Sequence, residues 1–219
     1  FEWTDLWSFT LFAGGVALLC AFLVQGRLLN WNGDWLGYAL AGGIVMVGGS
    51  LLIEHERRNP MLEVHWMTSG VMLKFVLTGA LLRVLLSEQS VGAAGLLNLL
   101  GMGNDQTVVF YGLLTLATLL GLLLSIARLD PSDLRRPVLV SLFLIAVCAF
   151  MDASASNLTR PANLYLSQAL MAFAAIYFMA AFMTEGLLRA LVKGPSHFIS
   201  FSALFSLSQT VGGLLGAGL

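Results

Sequence analysis

Charge is what this 219-residue chain has least of: Asp, Glu, Lys and Arg make up 11% of it, against 58% hydrophobic residues. A soluble domain covers itself with polar and ionised side chains. At a mean hydropathy of +0.86, this chain would have to expose more apolar surface than water tolerates. Cysteine is also scarce. Cys20 and Cys148 both sit inside apolar runs, where they act as small hydrophobes and give no redox or metal signal. No Gly-rich phosphate loop, Ser-x-x-x-Lys pair or Cys-His couple occurs, which leaves catalysis without residues to carry it. Glu54-His55-Glu56-Arg57-Arg58, with His65 nearby, does not make a metal site, because adjacent helical residues do not converge on one ion. No enzymatic activity, cofactor, metal or nucleic-acid partner is expected.

What the chain has in quantity is apolar length. Seven runs, at 6–29, 35–53, 70–94, 107–127, 137–151, 163–191 and 197–219, approach the ~20 residues that a helix needs to cross a ~30 Å hydrocarbon core. Membrane β-strands would alternate apolar and polar positions, whereas 113–124 is apolar on nearly all sides. The expected fold is all-α, a polytopic transmembrane helical bundle of seven spans in the lipid bilayer. Phe1 stands in place of Met, and Leu219 ends an apolar run without a polar flank. A piece of a longer chain is therefore expected.

The connections after the second, fourth and sixth runs hold Arg57, Arg58, Arg128, Arg135, Arg136, Arg189 and Lys193, while the others hold only Arg27 and Arg160. This alternation places the even-numbered loops and Phe1 in the cytoplasm and turns Leu219 outward. Trp3, Trp7, Trp31, Trp35 and Trp66 all fall at the ends of runs, as an interfacial aromatic belt does. Asp105-Gln106-Thr107 and Asp133 can satisfy free amides at helix starts. Glycines at 14/15, 42/43, 48/49, 212, 213 and 216 bare helix faces for close packing or for sliding.

Ionisable groups inside the runs cost on the order of 3 kcal/mol or more at mid-depth and so need a partner or water. The third run holds Lys74, Arg83, Glu88 and Gln89. Lys74 is close enough to the run's start to snorkel. At ~100° per residue, Lys74, Thr78, Glu88 and Gln89 share one broad sector, with Arg83, Ser87 and Ser90 nearly opposite. Either Arg83 and Glu88 meet different neighbours, or the helix breaks near Ser87. On the sixth run Gln168, Ala172, Ala175, Met179, Phe182 and Gly186 share a face, which suits either a pocket for greasy ligands or plain packing. Glu185 and Arg189, four apart, read as a local pair. Asp152, at the end of the fifth run, reads as solvated.

The first two runs, ending in Gln25-Gly26-Arg27-Leu28-Leu29-Asn30-Trp31 and in 54–58 followed by Asn59-Pro60-Met61-Leu62, resemble the extra helix pair of the fourteen-helix drug:proton antiporters. These are the EmrB/QacA-like group of the major facilitator superfamily. The last run, 201–216, is similar to that group's penultimate helix, with Gln209 where the group commonly has an arginine.

The resemblance implies a partial major-facilitator fold. Residues 1–67 would be the inserted helix pair with a cytoplasmic linker, and 68–219 the first five helices of the carboxy-terminal half. The amino-terminal half of the same chain would be a missing partner. It further implies a multi-pass transporter of the cell membrane that exports drug-like or amphiphilic small molecules against protons by alternating access. Glu88, Arg83, Gln89, Lys74, Gln168 and Met179 would lie along the substrate and proton pathway. A transporter of a specific polar or anionic metabolite, with Arg83 and Lys74 as its anion site, is the alternative. A non-transporting membrane scaffold is another. The arginine asymmetry predicts that a single cysteine introduced as Arg58→Cys in the full-length protein is labelled only from the cytoplasmic side. Labelling by an impermeant reagent from outside intact cells would invert the topology.

Overall fold

The computed structural model describes residues 3–57 and 60–218. The expected sides of Phe1 and Leu219, and the loop residues Arg58 and Asn59, lie outside the described residues. Among the described residues every regular element is helical. They run α1 (Trp3–Leu28), α2 (Asp34–Glu56), the short α3 (Val64–Met67) and α4 (Gly70–Ser87). A π-helical turn (Glu88–Ala93) carries α4 into α5 (Ala94–Leu99), followed by α6 (Asn104–Arg128), α7 (Arg135–Asp152), α8 (Pro161–Lys193) and α9 (Pro195–Gly218).

Six stretches are long and apolar enough to cross a membrane: Trp3–Leu28, Asp34–Glu56, Gly70–Leu99, Asn104–Arg128, Pro161–Lys193 and His197–Gly218. The fold is that of an all-α, multi-pass membrane protein. The fifth run, 137–151, expected as one of seven spans, differs. It forms α7, but that helix starts on Arg135-Arg136 and ends on Asp152. The uncharged part between them is about 22 Å long, well short of a ~30 Å core.

The chain divides into two compact units, Phe1–Leu85 with Arg189–Leu219, and Leu86–Leu188. In the first unit α1 lies against α2 through two glycines that face each other. A Cβ on Gly15 would stand 2.8 Å from the Val47 backbone nitrogen and 3.0 Å from the Gly43 carbonyl oxygen, and a Cβ on Gly43 would stand 3.0 Å from the Gly15 oxygen. Backbones this close gain dispersion contacts over their length, the main attraction available where lipid is as apolar as the side chains. Gly48 and Gly49, also expected at a close contact, have nothing within 4 Å of a built Cβ.

Near one end of this pair the buried Ser8 and Ser50 hydroxyls meet at 3.1 Å, and Ser50 also donates to the Ser8 carbonyl at 2.9 Å. Glu54, only 1% exposed, accepts the backbone N–H groups of Met61 at 2.6 Å and Leu62 at 3.2 Å. Arg57 joins Glu54 to Asp5, at 3.2 and 2.6 Å. The carboxylate that invited a metal reading is thus the cap that folds the chain back after α2. Elsewhere in the unit Gly212 lets α9 close on α4. A Cβ there would stand 2.5 Å from the Ala80 oxygen and 2.9 Å from the Arg83 Cβ.

In the second unit Ala93, Leu97, Phe110 and Leu164 form a buried cluster, with Met102, Leu114 and Tyr165 packed on it. Gly121 admits α8, since a Cβ there would lie 2.8 Å from the Phe173 carbonyl oxygen. At the start of α6, Gln106 reaches back to accept the Gly103 N–H at 3.3 Å, the capping role expected for this segment. Asp133 does not cap α7 and pairs instead with Arg136 at 2.8 Å. In the same loop Asp130 accepts both the N–H and the O–H of Ser132, at 2.8 and 2.7 Å. Those two bonds hold its carboxyl below the usual carboxylate range.

Replacing Gly15 by Val should separate α1 from α2, because the obstructing atoms are backbone and cannot rotate away. A loss of about 1–3 kcal/mol is expected, read as a lower Tm of the detergent-solubilised full-length protein. Gly49→Ala should leave Tm unchanged or slightly higher; equal losses from both changes would contradict the close glycine contact.

Candidate functional site

The polar residues of the third run separate between the two units. Lys74 and Arg83 are exposed members of the first. There Thr78 spends its hydroxyl on the Lys74 carbonyl at 2.8 Å, and Arg83 lies against Gly213, whose built Cβ would be 3.3 Å from the Arg83 Nε. Glu88, Gln89, Gln168 and Met179 belong to the second.

The helix does change at Ser87, as the first-principles reading allowed, but it widens and does not break. The segment Ser87-Glu-Gln-Ser-Val-Gly is poor in helix-favouring apolar residues and rich in side chains that compete for backbone groups. Ser90, for example, reaches the Ser87 carbonyl at 3.4 Å. The π turn ends with the Ala94 N–H bonded to the Gln89 carbonyl, five residues back, and such turns recur at functional positions. It lies within the 30-residue stretch Gly70–Leu99, where Glu88 falls about 5 Å past the midpoint. That is deeper than a run ending at residue 94 implies.

Both residues at the head of the turn address α8. Gln89 Nε2 donates to the Gln168 backbone oxygen at 3.0 Å. The Gln168 side-chain amide donates to Glu88 Oε2 at 3.0 Å and Oε1 at 3.2 Å, and to Asp152 Oδ2 at 2.7 Å. Ser167 Oγ donates to Asp152 Oδ1. One buried neutral amide therefore bridges two carboxylates from two other elements. It has two hydrogens for three carboxylate oxygens, so one of them is shared. Among the described residues no ion pair reaches either one.

Gln168 itself is 0% exposed, and its Oε1 has no hydrogen-bond partner. Ala93, four residues after Gln89, and Leu164, four residues before Gln168, belong to the buried cluster. Chemically, the arrangement can bind and release positive charge.

Asp152, expected to be solvated, is half-buried and also bonded to protein groups on both oxygens. One wall of its surroundings is open, since Asp152 lines a pocket together with Ser154, Ser156, Thr159 and Asn163. This lies at the end of α7 opposite Arg135 and Arg136. Met179 is not part of the cluster; it lies eleven residues beyond Gln168, about 16 Å along α8. Ala172 and Phe182, on the face read as pocket lining or packing, are buried, and Phe182 stacks on Phe178 with centroids 5.3 Å apart.

Fold and site together define a multi-pass helical membrane protein with one carboxylate, Glu88, inside a span and bridged to Asp152 at the end of α7. No family model, curated protein or solved structure matches the chain. Gln168→Leu should lower the stability of the full-length protein by about 1 kcal/mol, given that membrane side-chain hydrogen bonds average ~0.6 kcal/mol and reach ~1.7. In a double-mutant cycle with Glu88→Gln the two changes should be non-additive. Additive changes in Tm would separate Gln168 from Glu88.

Proposed function

We propose that this chain is part of a secondary active transporter that exports drug-like or amphiphilic small molecules in exchange for protons by alternating access. In this reading it belongs with the fourteen-helix antiporters of the major facilitator superfamily and resides in the cell membrane. The amino-terminal half of the same chain would complete the transport path. The observation that carries the reading is the Glu88–Gln168–Asp152 bridge, one carboxylate inside an apolar span and one at the end of α7, without a cationic side chain paired to them among the described residues.

Fixed structural carboxylates in a membrane are paired with cations, as Glu54 and Asp5 are with Arg57. An unpaired acid is the kind of group that loads and releases a proton as access alternates. The glycine contacts at Gly121 and Gly212 support helices that slide past each other without side chains interlocking.

A second reading, transport of a specific anionic metabolite, draws on Lys74 and Arg83, two exposed cations on one apolar helix. Competition by small anions, abolished by Arg83→Gln, would favour it. For the leading reading, Glu88→Gln in the full-length protein should abolish export driven by a pH gradient while leaving membrane insertion and ligand binding intact. Wild-type export in that variant at normal expression would return Glu88 to a structural role.

A further inference from the structure

The loop between α6 and α7 borders a cavity of about 420 Å³ in which the carboxylate bridge takes no part. Its lining changes character with depth. Arg128 ends α6 and Arg136 lies in the first turn of α7, with Asp130 and Asp133 between them at the mouth. Leu124 and Val140 each stand one helical turn further in, about 6 Å deeper. Phe173 and Tyr177 of α8 complete the wall, their rings stacked with centroids 6.0 Å apart. A charged mouth over an apolar floor fits a molecule that is polar at one end only.

Three observations give the mouth its sign. The segment 128–136 carries three arginines against two aspartates. Both acids are engaged, Asp130 by the N–H and O–H of Ser132 and Asp133 by Arg136, whereas Arg128 is exposed and pairs with no carboxylate among the described residues. Helix α7 also starts without a side-chain cap, and the backbone N–H groups of Arg135 and Arg136 reach no acceptor among the described residues. Uncapped amides at a helix start favour an anion.

Beyond the cavity the apolar walls continue. Leu116, Leu120, Leu124 and Arg128 recur every four residues on α6, and Arg136, Val140, Phe143 and Val147 every three or four on α7. All eight are exposed, so each helix presents an apolar stripe headed by an arginine. One basic mouth with two apolar stripes running from it matches one anionic head with hydrocarbon tails. In the topology that the arginine asymmetry predicts, this mouth faces the cytoplasm, the side on which leaflets carry anionic lipid and basic pockets between spans take its headgroups.

We propose that the cavity between α6, α7 and α8 binds one anionic phospholipid of the surrounding bilayer. Its phosphate lies against Arg128 and the start of α7, and its acyl chains lie along the α6 and α7 stripes. The site is separate from the carboxylate bridge and does not rest on the transport reading.

The test uses the full-length protein purified in detergent, with thermal unfolding followed as lipid is added in mixed micelles. A ligand that binds only the folded state raises Tm in a saturable way. Phosphatidylglycerol should raise Tm by a few degrees, phosphatidylcholine much less and glycerol phosphate not at all. The rise should be lost in Arg128→Gln and in Val140→Trp, which fills the groove, and kept in Arg160→Gln, an arginine in the loop at the other end of α7. Both Arg128 and Val140 are exposed, so the variants should fold, and their Tm without lipid checks this.

No rise with phosphatidylglycerol, or a rise that persists in Arg128→Gln, would overturn the inference. An equal rise with phosphatidylcholine would reduce the groove to ordinary lipid solvation, and an equal rise with glycerol phosphate would make it a site for free phosphate; either overturns it too. So does a Val140→Cys variant that a lipid-soluble maleimide fails to label in native membranes while Val192→Cys, at another exposed apolar position, is labelled, because another part of the full chain then covers the groove.

Discussion

Inside a bilayer no water is present to satisfy a polar group, so every backbone amide and every buried side chain must find its partner within the protein. That constraint explains why every regular element among the described residues is helical. It also explains where the polar side chains lie. Thr10, Thr78, Thr115, Thr118, Thr184 and Ser202 each return a hydroxyl hydrogen to the carbonyl four residues back on their own helix. That is the cheapest solution open to them. Groups that cannot do so, such as Ser8 and Ser50, meet across helices.

The two buried carboxylate systems show two ways of meeting the same demand. Glu54 is held by loop amides and by a guanidinium that also binds Asp5. Its charge is balanced locally, and the result is a fixed turn after α2. Glu88 and Asp152 receive only hydrogen bonds from a neutral amide and a hydroxyl. Hydrogen bonds orient a carboxylate without cancelling its charge, so the second system remains open to whatever cation reaches it.

Much of this architecture could be read from residue pattern, because its physical basis is length. The runs at 6–29, 35–53, 107–127 and 163–191 became α1, α2, α6 and α8 with ends moved by a few residues, since apolar length and turn residues bound a span locally. Charges at both ends of α7 leave its uncharged part too short to span, a limit visible in Arg135, Arg136 and Asp152 but outweighed by the apolar residues between them. The glycines were legible only in part. Gly15 and Gly43 meet while Gly48 and Gly49 do not, and which helix face turns to a neighbour is decided by tertiary packing that a glycine count does not contain.

The candidate site was legible at Glu88, Gln89 and Gln168, whose polarity is out of place in an apolar run. Asp152 was not, because an acid at a helix end is ordinarily hydrated. Its partners Ser167 and Gln168 lie fifteen and sixteen residues away across a turn. The one local signal was the placement of Arg83 and Glu88 on opposite sectors of one helix, which allowed a break near Ser87 without saying that the helix would widen instead.

The π turn and the amide bridge depend on each other. Widening the helix at Glu88–Ala93 lets two consecutive residues, about 100° apart on an ordinary helix, both reach α8. Glu88 takes the Gln168 side chain and Gln89 takes its backbone carbonyl. The carbonyl bond ties the Gln168 backbone to Gln89 beside the amide bridge. The side chain is thus held at its root by the carbonyl bond and at its tip by the bonds from Nε2, and only Oε1 lacks a partner. The cluster can therefore change its charge while Ala93, Leu97, Phe110 and Leu164 hold their packing beneath it.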